Sequence, residues 1–172
     1  PSASSNAPTT PTATATPAAK ASGTRVTVTT DVLRLVLDGG NVFDAELLQY
    51  PQTREKGSPP VKLFDENAAH YYVAQSGWTG QNGASAPTHV SGFVAENPAN
   101  ANLALTTGQN EITVPFVWTG PDGVTIRRTW TIKRGSYAIE VRDEVANAGG
   151  KPWAGYVYRQ LARIPPEIKS SM

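Results

Sequence analysis

Cysteine is absent from all 172 residues, which excludes disulfide scaffolds, thiolate nucleophiles, zinc ribbons and iron–sulfur clusters together. Histidine is almost absent: His70 and His89 are the only imidazoles. Neither stands in an HxH, HExxH or Asp-rich loop pattern, so a metal site would lack a third ligand at short spacing. A structural or solvent-facing role is expected of both. An excess of charge is missing as well. Lys and Arg number 15 against 14 Asp and Glu, a net charge of +1, far from what neutralising a run of phosphates requires, so nucleic acid is not an expected partner. No apolar run approaches the roughly 20 residues of a membrane helix. There is no GxSxG elbow and no Gly-rich phosphate loop ending in Lys-Ser or Lys-Thr. Acidic residues are scattered rather than paired within a motif, and the side chains of adjacent Asp143 and Glu144 take opposite faces if that segment is a strand. No catalytic residue, cofactor or metal is expected.

What is present divides the chain in two. Residues 1–23 (PSASSNAPTTPTATATPAAKASG) are built almost wholly from Pro, Ala, Ser and Thr, with Lys20 the one charge and no large apolar side chain. Such a stretch cannot offset its ordering entropy by burial, so it is expected to be a disordered spacer. Fully extended as polyproline II it would reach roughly 70 Å. From Thr24 the pattern becomes period-two alternation rich in β-branched residues, and the 39% hydrophobic content suffices for one core. Thr24–Asp38 reads as one strand with Leu33, Leu35 and Leu37 on one face, turned by Gly39-Gly40 into a returning strand, Asn41–Tyr50. A loop over Pro51–Pro60 follows, then short strands around Val61–Phe64 and His70–Gln75, then a loop over Ser76–Gly92.

Between Glu111 and Arg163 four strands are separated by turn signals at the spacing of all-β sandwiches. Ile112–Trp118 leads through Pro121-Asp122-Gly123 into Val124–Lys133, which places Val124, Ile126, Arg128, Trp130 and Ile132 on one face. Ala138–Val145 and Trp153–Arg163 continue what reads as an antiparallel meander, with NAGGKP as the last turn. Pro115 cannot donate a ladder hydrogen bond and predicts an edge position or a bulge. Most strand aromatics are expected in the core. Trp78 lies in a Gly-rich stretch (SGWTGQNG) and is the candidate exposed contact residue.

Several separated stretches, in order, resemble the periplasmic domain of the YidC-type insertases of the Oxa/YidC/Alb family: TDVLRLVLDGGNVFDAELLQYP, AQSGWTG, GQNEITVPFVWTGPDG and KRGSYAIEVRDEVANAGGKPW. The resemblance implies a β-supersandwich similar to galactose mutarotase-like proteins, in the periplasm of a bacterial inner-membrane protein. It implies that 24–172 is the N-terminal part of that domain, with the remainder and the membrane segments lying outside this chain. Half of such a sandwich would leave an apolar face or strand edge uncovered, so the isolated chain is expected to self-associate or unfold easily. The implied role is accessory, in insertion, folding and assembly of inner-membrane proteins with or without the Sec translocon, whose components and nascent inner-membrane proteins are the implied partners. No functional residue is transferred, because the family's working groove is not in this sequence. Two other readings follow: a carbohydrate-binding module or sugar epimerase from the mutarotase-like fold, and an interaction domain that adds a partner strand at an open edge.

Overall fold

The structure is a computed structural model and describes residues 24–165. The spacer at 1–23 and the last residues, 166–172, lie outside the described residues. Eleven strands are described: β1 (Val26–Thr29), β2 (Leu33–Leu37), β3 (Asn41–Pro51), β4 (Pro60–Phe64), β5 (Tyr72–Gly80), β6 (Val94–Ala95), β7 (Asn102–Ala104), β8 (Glu111–Thr119), β9 (Val124–Lys133), β10 (Ile139–Asn147) and β11 (Gly155–Arg163). A single 3-10 turn, Gln81–Gly83, is the helical element among the described residues. The strands form two sheets. The larger runs β11-β5-β3-β2-β1-β7, with β4 also paired to β3, and the smaller runs β10-β9-β8-β6.

Alternation produces this arrangement directly. In β9 the inward positions Val124, Ile126, Arg128, Trp130 and Ile132 are buried, while Arg127 and Lys133 are exposed. Ile112, Val114 and Phe116 of β8 extend that surface, and it packs against Val26, Val28, Leu33, Leu35 and Leu37 of the larger sheet. Each such side chain contributes about 2 kcal/mol on burial. The β8–β9 turn uses Gly123 at φ 78°, a conformation that only glycine adopts without strain, and it closes with Gly120 N–H donating to the Val124 carbonyl at 2.7 Å.

Four details differ from the sequence reading. Thr24–Asp38 is two antiparallel strands rather than one, because Thr30 Oγ1 accepts the Val32 and Leu33 N–H groups at 3.2 and 3.0 Å and reverses the chain there. The loop expected from Ser76 begins only after Gly80, since β5 pairs with β11 along its whole length. β1 and β7 pair in parallel, the one parallel ladder among the described residues. The four-strand meander is three strands long: after β10 the chain crosses sheets, and β11 pairs with β5. Trp153 pins that crossing, with its ring 5.7 Å from that of Trp78 and its Nε1 donating to the Ser85 carbonyl. Pro115, by contrast, holds the expected edge position. It sits in β8 in unbroken register with β9, and its carbonyl accepts from Glu96 N–H just past the two-residue β6. The donor it lacks therefore faces the side where the neighbouring strand has ended.

Candidate functional site: a buried arginine and the open groove beside it

The alternation that buries Trp130 also buries Arg128, which has 0% relative exposure. An arginine inside a core requires acceptors for its donors, and here every nitrogen of the fork has at least one. Nε and one terminal nitrogen bind the two oxygens of Asp143, both at 2.7 Å. The other terminal nitrogen donates across to the larger sheet, to the Gly39 carbonyl at 3.0 Å and the Ser76 carbonyl at 3.2 Å. The guanidinium also lies 4.6 Å from the centre of the Phe93 ring. Asp143 in turn accepts Trp78 Nε1–H at 2.8 Å. One charged network thus ties β9 and β10 to β5 and to the β2–β3 turn. Asp143 points into it while Glu144 stays half exposed, as opposite strand faces require.

Beyond this network the two sheets part. The space between β5 and β11 on one side and β9 and β10 on the other is a groove of about 350 Å³, lined by apolar side chains such as Val42, Phe64, Ile139, Val141 and Leu161 and by the charged Arg159. Two polar atoms on its lining residues have no partner: Ser76 Oγ and Trp130 Nε1. β11 continues the floor past the roof that β10 supplies, which leaves Val157 and Leu161 at 42% and 61% exposure and Val145 of β10 at 44%.

On the opposite face of the larger sheet, the loop after β5 is laced down at His89. Its Nδ1 is 2.7 Å from Tyr158 Oη, its backbone N–H donates to the same oxygen at 3.0 Å, and its carbonyl accepts from Asn41 Nδ2 at 2.6 Å. Glycine makes the close approach possible, since a Cβ on Gly77 would meet Tyr158 Oη at 2.5 Å. Asp38 sits beneath, receiving the Gly40 and Asn41 N–H groups. Burial raises the Asp38 pKa above the usual carboxylate value, partly offset by those donors. Burial also lowers His89, with the Asp38 charge working the other way.

The residues singled out from sequence fall on different elements. His70 lies in the exposed turn between Asp65 and Tyr72, whereas His89 is in the laced loop. No group of three metal-ligating side chains occurs among the described residues. Trp78 is in strand β5 rather than a loop, half-buried against the core and bonded to Asp143, because Ser76–Gly80 completes the ladder with β11.

Comparison with known proteins places this arrangement. The sequence pattern of the family described as the YidC periplasmic domain matches residues 25–172. The chain belongs to that family. The YidC membrane protein insertase of Stenotrophomonas maltophilia strain K279a is 53% identical over 160 residues, which are 93% of this chain and 27% of that protein. The YidC membrane protein insertase of Xanthomonas oryzae pv. oryzae strain PXO99A is 53% identical over 165 residues, covering 96% of this chain and 28% of the relative. That of Xanthomonas campestris pv. campestris strain 8004 is 52% identical over the same length. The chain therefore spans about a quarter of the length of these curated relatives. As a YidC periplasmic domain it is an extracytoplasmic module, all β, in two sheets. Its buried ion pair was open to detection in sequence as a lone charge within the apolar stripe of β9. The groove was not, because its walls come from β3, β4, β5, β9, β10 and β11.

Proposed function

We propose that this chain is an accessory periplasmic domain of a membrane protein insertase, acting in insertion, folding and assembly of inner-membrane proteins with or without the Sec translocon. The observation that carries this reading is the match of residues 25–172 to the YidC periplasmic domain, together with relatives that bear the insertase name at 53% identity. In this reading 1–23 is a tether and 24–172 is the first part of a larger, mutarotase-like supersandwich. The exposed inner face of β11 supports that continuation, as a floor onto which further strands of the larger sheet can be added. Membrane segments and the machinery of insertion lie in the three quarters of the relatives that the chain does not span. The domain has no turnover of its own, and Trp78 acts as a strut of the sandwich rather than as a contact residue. Sugar chemistry gains no support, because His70 and His89 are held on separate elements and His89 is committed to Tyr158.

The test uses the full-length protein in cells, with a photo-crosslinking amino acid placed at Leu161, Val157 or Val145. Adducts with nascent membrane proteins or Sec components are expected from these sites and not from Thr125 on the opposite face of the smaller sheet. Absence of adducts from all three sites, with growth depending on sugar supply instead, would overturn the reading.

A further inference from the structure

Residues 88–92, the tip of the loop after β5, form a flap held at both ends. Before it, the Pro87 carbonyl accepts Trp78 N–H at 2.8 Å, and after it Phe93 is buried against Arg128. Gly92, at φ 116°, supplies a bend between flap and Phe93 that residues with a Cβ rarely adopt. The flap lies close on the β2–β3 turn: a Cβ on Gly40 would meet His89 Cα at 2.7 Å, and Asp38 beneath is 3% exposed. Within the flap, Thr88 Oγ1 accepts the Val90 and Ser91 N–H groups. Among the described residues, His89 alone bonds the flap to the sheet, through Tyr158 and Asn41.

The position of the protons at His89 follows from counting donors. Tyr158 Oη accepts the His89 backbone N–H at 3.0 Å, and its own hydrogen has one acceptor among the described residues, His89 Nδ1 at 2.7 Å. Nδ1 is therefore unprotonated, and the neutral ring carries its hydrogen on Nε2. A proton taken up at Nδ1 turns that acceptor into a donor. Two donors then converge on Oη, and the hydroxyl hydrogen is left without a partner. The titratable and charged groups around the ring are Tyr158 of β11, Asp38 of the β2–β3 turn, and Arg128 of β9, whose charge reaches Tyr158. From β5 only Gly77 approaches, and β3 contributes the neutral Asn41. Asp38 favours the imidazolium, but burial outweighs it and keeps His89 below its ordinary pKa.

We propose that His89 is a proton-operated latch: with Nδ1 free it holds residues 88–92 down on the β2–β3 turn through Tyr158, and with Nδ1 protonated it lets the flap rise while Pro87 and Phe93 stay in place. Rising returns the imidazolium to water and opens Asp38, Gly39 and Gly40, which line the crevice under the flap. Linkage sets the sign. The open flap takes up its proton at the ordinary value of about 6.5 and the closed flap only at lower pH. The open-to-closed ratio therefore grows by up to about tenfold per pH unit between the two values and levels off below them. Asp38 acts in reverse further down, because once protonated it tolerates burial and exposing it gains nothing. The latch is internal to the β5–β11 pair and the β2–β3 turn, and it works whichever role the domain serves.

The experiment is hydrogen exchange read by mass spectrometry on the full-length protein, with rates expressed as protection factors so that the intrinsic pH dependence of exchange cancels. From about pH 7.5 to about pH 5, protection of the flap falls by up to about tenfold per pH unit. Protection of β8 and β9 stays constant over the same range, which separates flap opening from loss of the whole fold. His89→Gln, whose amide oxygen accepts the Tyr158 hydroxyl at every pH, keeps flap protection level. Tyr158→Phe loses it at both ends of the range. The wild type alone supplies a second check, because isotope-labelled imidazole shifts near neutral pH report the Nε2–H tautomer. An Nδ1–H tautomer would overturn the proposal. So would flap protection that is level with pH in the wild type, that falls equally in His89→Gln, or that falls only in step with β8 and β9.

Discussion

Replacing Arg128 with Met separates the two halves of the ionic network without changing the volume of the core greatly. Met fills most of the arginine stem but supplies none of the four hydrogen bonds that reach Asp143, Gly39 and Ser76. Asp143, whose side chain is 8% exposed, would be left with Trp78 Nε1–H as its remaining donor. An unpaired buried carboxylate costs about 3–5 kcal/mol. In a domain whose net stability is on the order of 5–15 kcal/mol, that removes a large fraction of it. Arg128→Met combined with Asp143→Leu should recover about half of the loss. The pair's desolvation disappears with it, whereas Trp78 Nε1–H and the carbonyls of Gly39 and Ser76 stay without partners. The double variant is thus more stable than the Arg128→Met single variant, a non-additivity that a cycle of urea unfolding curves measures directly. Tryptophan emission from Trp78 and Trp130 and far-ultraviolet dichroism should report the same transition. A loss under 1 kcal/mol for Arg128→Met, or a double variant less stable than either single one, would refute the network as the tie between the sheets.

Two further outcomes test the laced loop. His89 is held below its ordinary pKa by burial, so the unfolded chain binds the proton more readily. Its contribution to stability is complete above the unfolded value of about 6.5 and is lost as pH falls through the lower folded value. Thermal melts across that window should show wild type losing more stability than His89→Gln, and parallel curves would refute the assignment. Asp38 has the opposite sign, since burial raises it, and its folded-state protonation favours folding as pH falls toward 3.8. Gly77→Ala places a methyl group against Tyr158 Oη and His89 N, at 2.5 and 2.9 Å. A loss of about 1–3 kcal/mol is expected, together with faster proteolysis within 84–93, and unchanged cleavage there would show that the loop is held by something else.

How far the sequence could be read depended on whether a feature was local. The alternation of β8, β9 and β10, the Pro-Asp-Gly turn and the opposed faces of Asp143 and Glu144 follow from chain geometry alone, and they stand where the sequence put them. The reversal at Thr30 escaped because a side-chain hydroxyl, rather than a glycine or proline, takes the backbone donors. The departure of β11 from the meander escaped because strand partners are chosen by packing across the whole domain. Trp153 on Trp78, and Tyr158 under His89, make β5 the better neighbour.

By itself the sequence determined a β-rich chain with no thiol, no metal-ligand motif and no apolar run long enough to span a membrane, because composition and period-two patterning are properties of the chain; the likeness to the insertase family came separately, from the ordered stretches between Thr30 and Trp153. Tertiary structure alone decided that Arg128 is a buried clasp rather than a surface charge, that Trp78 is half-buried and bonded to Asp143, and that β11 leaves the meander to pair with β5. Each of these depends on which strands meet across the sandwich, and that is set by the joint packing of residues far apart in sequence.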